Sequence, residues 1–172
     1  GTQTLKANGL VTGGVTTTAG SVVTGSGTID GNLSIGGNLA PGNSPGTITL
    51  TNDDLSLGSA STGSFELGGT SSAAYDRVTG INTLTLDGTI TVTYFGGFNP
   101  ALGNSFDLFE FTTVNASGFD VSTDLVLPAL DPGLAWDTSG FTGTGLIAVV
   151  PEPSAAVLAV FTALGLLRRR RA

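Results

Sequence analysis

Apolar residues along this chain recur in pairs spaced by two, which places both members of a pair on one face of a strand. Leu33 and Ile35, Ile48 and Leu50, Phe65 and Leu67, Leu84 and Leu86, and Phe106 and Leu108 are such pairs, and their first members are 15, 17, 19 and 22 residues apart. Secondary pairs lie between them, Leu55 with Leu57 and Ile90 with Val92. A quasi-period of roughly 20 residues fits stacked coils of a β-solenoid, and it fits a β-meander as well. Both predict an all-β body with these pairs in a common core.

The residues between the pairs are turn formers. Asp30-Gly31, Gly36-Gly37, Gly68-Gly69 and Asp87-Gly88 punctuate the strands, and "APGNSPGT" from Ala40 to Thr47 reads as a corner, since Pro41 and Pro45 stand only where no ladder N–H is needed. A phosphate-cradling glycine loop is the sharper alternative there. It lacks a following lysine and a helix for the anion to cap. Gly1 to Thr28, rich in Thr, Gly, Ser and Val, favours short strands over helices. Beyond Tyr94 the alternation loosens, then returns in an apolar strand at Gly145 to Val150, which predicts closure by antiparallel strands.

The pattern changes at Pro151. Pro151 and Pro153 fix φ and restrict their predecessors, so Val150 to Ser154 is expected as an extended, exposed elbow with Glu152 pointing to solvent. From Ala155 to Leu167 the chain carries 13 residues without a charge, with Ser154 as a helix N-cap. A helix of that length covers about 20 Å against a hydrocarbon core of about 30 Å, which is short for a permanent span. Arg168, Arg169, Arg170 and Arg171 then form a basic stop suited to a helix C-terminus and to the cytoplasmic side of a membrane. The alternatives are an ordinary C-terminal anchor or a buried helix, and four terminal arginines speak against burial.

The 172 residues thus divide into one domain, 1–150, and a tail, 151–172. The chain starts at Gly1 rather than Met and shows no secretory signal, so an incomplete N-terminus is expected for an exported domain. The body holds two basic residues, Lys6 and Arg77, against 12 acidic ones, a net −10, while the tail holds four against one, a net +3. That balance argues against nucleic acid as a partner and permits weak divalent cation binding. Cysteine and histidine are both absent, which removes disulfides, thiolate metal sites, the commonest general base and the usual zinc ligand. No metal site and no cofactor is expected.

Candidate chemistry is sparse. Asp53-Asp54 and Asp107/Glu110 are the carboxylate groupings, and a glycosidase needs two carboxylates facing each other about 5 to 10 Å apart in a furnished cleft. Asp53-Asp54 reads as a solvated turn beside Asn52, with Ca²⁺ as the alternative. The serines have no His or Lys partner in a plausible constellation. Tyr75-Asp76-Arg77 reads as an edge strand with a local ion pair of little weight. Trp136 is expected to plug the closing layer; Trp136, Tyr75 and Tyr94 are the candidate carbohydrate contacts if they face solvent.

Two resemblances sharpen this. The "VPEPS" elbow, the "AVLAVFTALGLL" run and the "RRRR" terminus together resemble the PEP-CTERM sorting signal of Gram-negative bacteria. The resemblance implies that Pro151, Glu152 and Pro153 are recognised by a membrane protease of the exosortase type, and that the protein is a surface or extracellular-matrix component of exopolysaccharide-producing cells. "GSGTIDGNLSIGGNLAPGNSPGTITL", with "SFELGG", "YDRVTG" and "LTLDGTITVTY" after it, is similar to the repeat region of autotransporter passenger domains. It implies a short right-handed parallel β-helix or β-solenoid over about Gly25 to Leu108. The combined expectation is an all-β, non-enzymatic structural protein, exported, held transiently in the inner membrane by a C-terminal hydrophobic helix, then sent to the cell surface or matrix. A carbohydrate-binding module of the exopolysaccharide matrix is the alternative, and a polysaccharide-active enzyme the third reading.

Overall fold

The computed structural model describes residues 2–152. The helix expected at Ala155–Leu167, together with Pro153 and the four arginines, lies outside the described residues.

The chain runs through successive tiers, each supplying a strand to neighbouring parallel ladders. The first tier holds β1 (Thr4–Lys6), β2 (Leu10–Thr12) and β3 (Val15–Thr16), and the second β4 (Val22–Gly25), β5 (Thr28–Asp30) and β6 (Leu33–Ile35). In the third, β7 (Asn38–Pro41) is followed by a long β8 (Thr47–Leu57), and in the fourth β9 (Thr62–Leu67) by an equally bent β10 (Arg77–Leu86). The fifth contains β11 (Thr89–Tyr94), β12 (Ser105–Asp107) and β13 (Phe109–Asn115). The chain ends with α1 (Val121–Asp124), β14 (Leu125–Val126), β15 (Leu134–Asp137), α2 (Phe141–Thr144) and β16 (Leu146–Pro151).

One sheet has the order β1-β4-β7-β9-β11-β14 and another β13-β10-β8-β5-β2, with β3 and β6 joining through the far half of β8. Every pairing in these two sheets is parallel. A third sheet, β12-β16-β15, is antiparallel and contains the apolar strand expected before Pro151.

Alternation along each strand builds the interior. Strands such as β6 and β9 bury every second residue and turn Thr, Ser or Glu outward. Stacking in register then makes apolar columns: Val15, Leu33, Leu55, Leu84 and Val114 in one, and Leu5, Val23, Leu39, Gly63, Ile90 and Leu125 in another. Gly63 is the small member because the Phe65 ring and Ile90 occupy the space a Cβ would take, at 3.0 and 2.7 Å.

The bend between the two halves of the second sheet uses a left-handed residue in each of the first four tiers. Gly13, Gly31, Asn52 and Gly80 supply it, with φ of 92°, 142°, 66° and 71°. In the first two tiers the bend separates two strands; in the next two it lies inside β8 and β10. At Gly80 a Cβ would stand 2.1 Å from the Leu50 carbonyl oxygen, so glycine there is demanded twice over.

All the apolar pairs from Leu33 to Leu108 are buried in one core, as their alternation predicts. Their roughly 20-residue spacing is not the stacking period. Leu33, Leu55 and Leu84 follow one another in a ladder at offsets of 22 and 29 residues, while Ile48/Leu50 and Phe65/Leu67 belong to other faces. Each tier contributes inward pairs to more than one sheet, so consecutive pairs in sequence are seldom neighbours in space.

Leu55 is fully buried in the middle of its column, whereas Leu10 on an edge strand is 67% exposed. Leu55→Ala is expected to lower unfolding free energy by about 2 to 5 kcal/mol, and Leu10→Ala to change it by less than about 0.5 kcal/mol. Urea denaturation of the two variants checks the contrast.

Candidate functional site

The place where the chain leaves the described fold is built from the closing antiparallel sheet and an aromatic cluster behind it. Phe106, fully buried on β12, is its hub. Tyr75, Trp136 and Phe98 meet its ring edge-on at centroid distances of 5.5, 6.0 and 6.1 Å. Trp136 stands opposite Val149 in the ladder between β15 and β16, two residues from the pair Leu134 and Pro151.

The polar tips of this cluster hold a strap of chain, residues 127–133. Trp136 Nε1 donates to the Pro128 carbonyl at 2.8 Å and the Tyr94 hydroxyl donates to the adjacent Ala129 carbonyl at 2.9 Å. Asn99 Nδ2 donates to Asp131 at 2.6 Å. Partial burial first, and the charge of Asp131 second, raise the Tyr94 hydroxyl above its ordinary range.

The strap in turn holds the exit. The Glu152 N–H donates to the Gly133 carbonyl at 2.9 Å. Pro151, the last residue of β16, is exposed, and its missing N–H falls at the strand end. The chain is extended here, as expected, but the free elbow does not begin at Val150. Val150 is paired with Ala135, and Glu152 is half-buried rather than turned to solvent. Pro153 lies outside the described residues.

The aromatic candidates separate on burial. Tyr75 is 5% exposed, with its hydroxyl accepting from the Asp107 N–H at 3.4 Å, so it does not face solvent as a carbohydrate contact would, and it precedes the strand it was read into. Trp136 and Tyr94 are half-buried and bound at their tips to backbone carbonyls. Trp136 packs on the closing layer as a plug would.

The carboxylates are placed by the tiers. Asp53 accepts from the Gly31 N–H in the preceding tier at 2.8 Å and from Thr51 at 2.9 Å. Asp54 accepts from the Thr83 N–H and Asn82 Nδ2 in the following tier, at 3.1 and 3.0 Å. The two adjacent residues therefore tie neighbouring tiers at the bend beside Asn52, within β8 rather than in a solvated turn.

Arg77 opens β10, a central strand paired with both β8 and β13, so the edge-strand reading of Tyr75-Asp76-Arg77 is corrected. Its partner is not its neighbour in sequence. The guanidinium reaches Asp107 at 3.3 Å and Glu110 at 3.2 Å, joining the spaced pair that the sequence left without a cation. Burial raises the Asp107 carboxyl, Arg77 draws it down, and Glu110 pushes it up again.

Asp76 is the residue that sequence reasoning undervalued. It is 1% exposed and accepts from the Gly46 N–H at 2.6 Å and the Glu66 N–H at 2.9 Å, pinning the corner loop to β9. Gly42 makes room for it, since a Cβ there would lie 2.6 Å from its Oδ1. The signal was available in the closely spaced glycines of "APGNSPGT", which leave backbone donors uncovered. Burial outweighs the two N–H bonds and, with the nearby Glu66 charge, pushes Asp76 up to about 7. A groove of about 210 Å³ passes Asp76, Glu66, Ser64 and Thr91, but both Asp76 oxygens face backbone donors. Among the described residues no group of three or more acidic side chains is placed to hold a metal ion, and no helix is long and apolar enough to cross a membrane.

No family model matches the chain, and no curated protein matches it as a relative.

The Asp76 shift has a definite sign. Its folded value, about 7, lies above the ordinary 3.8, so the stability it contributes is complete below 3.8 and is lost as pH rises through 7. Urea midpoints are expected to fall between pH 5 and pH 8, with a slope from this group of at most about 1.4 kcal/mol per pH unit. Asp76→Asn is expected to be less stable at pH 5 and to lose that part of the slope.

Proposed function

We propose that the body is a non-enzymatic structural module whose tiers close into a short right-handed parallel β-solenoid, and that the tail is a sorting signal directing it to the cell surface or extracellular matrix. Parallel ladders repeated over five tiers, the first four with a left-handed residue at the same bend, support the solenoid reading. The observation that carries the functional reading is the ordered tail "VPEPS", "AVLAVFTALGLL" and "RRRR".

On this reading the apolar run holds the exported chain in the inner membrane with Arg168 to Arg171 inside. Passing even one arginine through the bilayer costs on the order of 3 kcal/mol, so four in succession act as a stop. Pro151-Glu152-Pro153 is then presented at the outer face to an exosortase-type protease, which releases or transfers the body. The exposed Pro151 at the rim of the closing sheet is compatible with such an approach. The described carboxylates and aromatic tips are largely engaged in bonds between tiers or to the strap, which favours a structural role over the carbohydrate-binding and enzymatic readings.

Among the described residues Glu152 is hydrogen-bonded through its N–H, which alanine keeps. Glu152→Ala is therefore expected to leave folding and membrane insertion intact while blocking processing in a cell that carries an exosortase-type protease. Intact mass of the mature protein decides it: a mature wild-type chain that still ends in "RRRRA" in such a cell refutes the sorting proposal.

A further inference from the structure

The first tier is an open edge. Among the described residues, strands β1, β2 and β3 are hydrogen-bonded on one side only, to β4, β5 and β6. Val23, Ile29 and Leu33 in the second tier are at most 1% exposed, yet their register partners Leu5, Val11 and Val15 are only half-buried. The apolar columns thus stop short of cover, beside a hollow of about 380 Å³ lined by Leu5, Val15, Thr16 and Val22.

A glycine indicates what covers that edge. Gly27 has no positive φ, so its requirement is steric: a Cβ there would lie 2.3 Å from the Gly9 carbonyl oxygen and 2.6 Å from its nitrogen. Gly9 occupies the equivalent register position one tier earlier, as the pairing of Leu10 with Thr28 fixes. Gly9 also has no positive φ, and a Cβ on it would meet nothing within 4 Å. Among the described residues nothing calls for glycine at position 9. The second tier shows what does: the backbone of a preceding tier crossing in close contact.

We infer that the β1–β2–β3 edge is a docking face for one more parallel tier, supplied by polypeptide leading into residue 1, whose backbone crosses Gly9 as Gly9 crosses Gly27. The offset of 18 residues between Leu10 and Thr28 gives its length. Its inward positions are apolar, to continue the columns of Leu5, Val11 and Val15. A second copy fits this face less well. The opposite end is partly capped, with Gly145 against the Phe109 backbone and Phe119 on Phe141, so a second copy meets packed chain there as well as the outer sides of β13 and β14. Head-to-head pairing would bring the exposed Lys6 of two short edge strands together.

The test is a full-length chain with residues 1–18 repeated ahead of Gly1, so that each added residue stands 18 positions before its equivalent. Thermal unfolding is compared for this chain and the parent, each with and without substitution of the original Gly9 to Val, with Gly27→Val in the parent as reference and Gly27→Ala in its place should the valine variant not fold. Gly9→Val is expected to move the parent Tm by no more than about 1 °C, and to lower the extended chain's Tm about as far as the reference lowers the parent's. Amides of β1, β2 and β3 should gain at least about tenfold protection from hydrogen exchange in the extended chain. Equal tolerance of Gly9→Val in both chains, or unchanged exchange at β1 to β3, overturns the inference. So does a parent that sediments as a dimer dissolved by Gly9→Val, because that puts a second copy on the edge.

Discussion

The structure depends on in-register parallel pairing between tiers. Strands of the two parallel sheets satisfy their backbone N–H and C=O groups chiefly through the strands of neighbouring tiers, so the ladders join each tier to the next. Two consequences follow from the close spacing of strands, about 4.8 Å. Like side chains must stack on like, which produces the apolar columns inside and the Thr and Ser ladders outside, such as Thr49 on Thr79 at 3.3 Å. Corners must do without a Cβ wherever the neighbouring backbone passes too near, and a Cβ on Gly27, Gly31 or Gly37 would lie within 2.6 Å of it. With no cysteine in the chain, burial and these ladders carry the fold.

Polar side chains serve the same constraint where the backbone ladder is interrupted. At the bend of β8 the left-handed Asn52 breaks the register, and Asp53 and Asp54 bond backwards and forwards to Gly31 and Thr83. At the corner loop Asp76 takes two N–H groups that no strand receives. Its carboxyl is neutral through much of the acid range because the niche is dry, so the bond geometry is retained while an uncompensated charge is avoided. Arg77 spans the gap to Asp107 and Glu110 on the far side of the same strand start. The acidic composition of the body thus reflects tier-to-tier bonding as well as a solvated surface.

What was legible in the sequence was local, and what was hidden was long-range. Alternation at Leu33/Ile35 or Phe65/Leu67 announces a strand and its buried face without knowledge of any partner. Partner identity depends on how many residues each corner consumes. That number is 18 between Leu10 and Thr28 and 31 between Val78 and Phe109, so no fixed period could align them. Glycine looked like punctuation in the sequence, although Gly27 and Gly63 lie at positions where space, not φ, is decisive. The partners of Arg77 and Trp136 were equally hidden, 30 and 8 residues away, because side chains that bridge tiers leave no spacing signature.

The closing sheet decides how the tail joins the body. Leu134 to Asp137 pairs with Ala148 to Pro151, and the Glu152 N–H bonds to Gly133, so the body runs to the motif with no slack segment between them. The strap carrying Gly133 is fixed by Tyr94, Asn99 and Trp136, residues drawn from both the last parallel tier and the antiparallel cap. A protein that recognises Pro151 and Glu152 would therefore approach a rim rather than a loose peptide. Pairing of β15 with β16 is what creates that rim, so the placement of Pro151 and Glu152 follows from completion of the fold. Of the two residues Pro151 is the exposed one, while Glu152 is half-buried and its backbone N–H is already engaged.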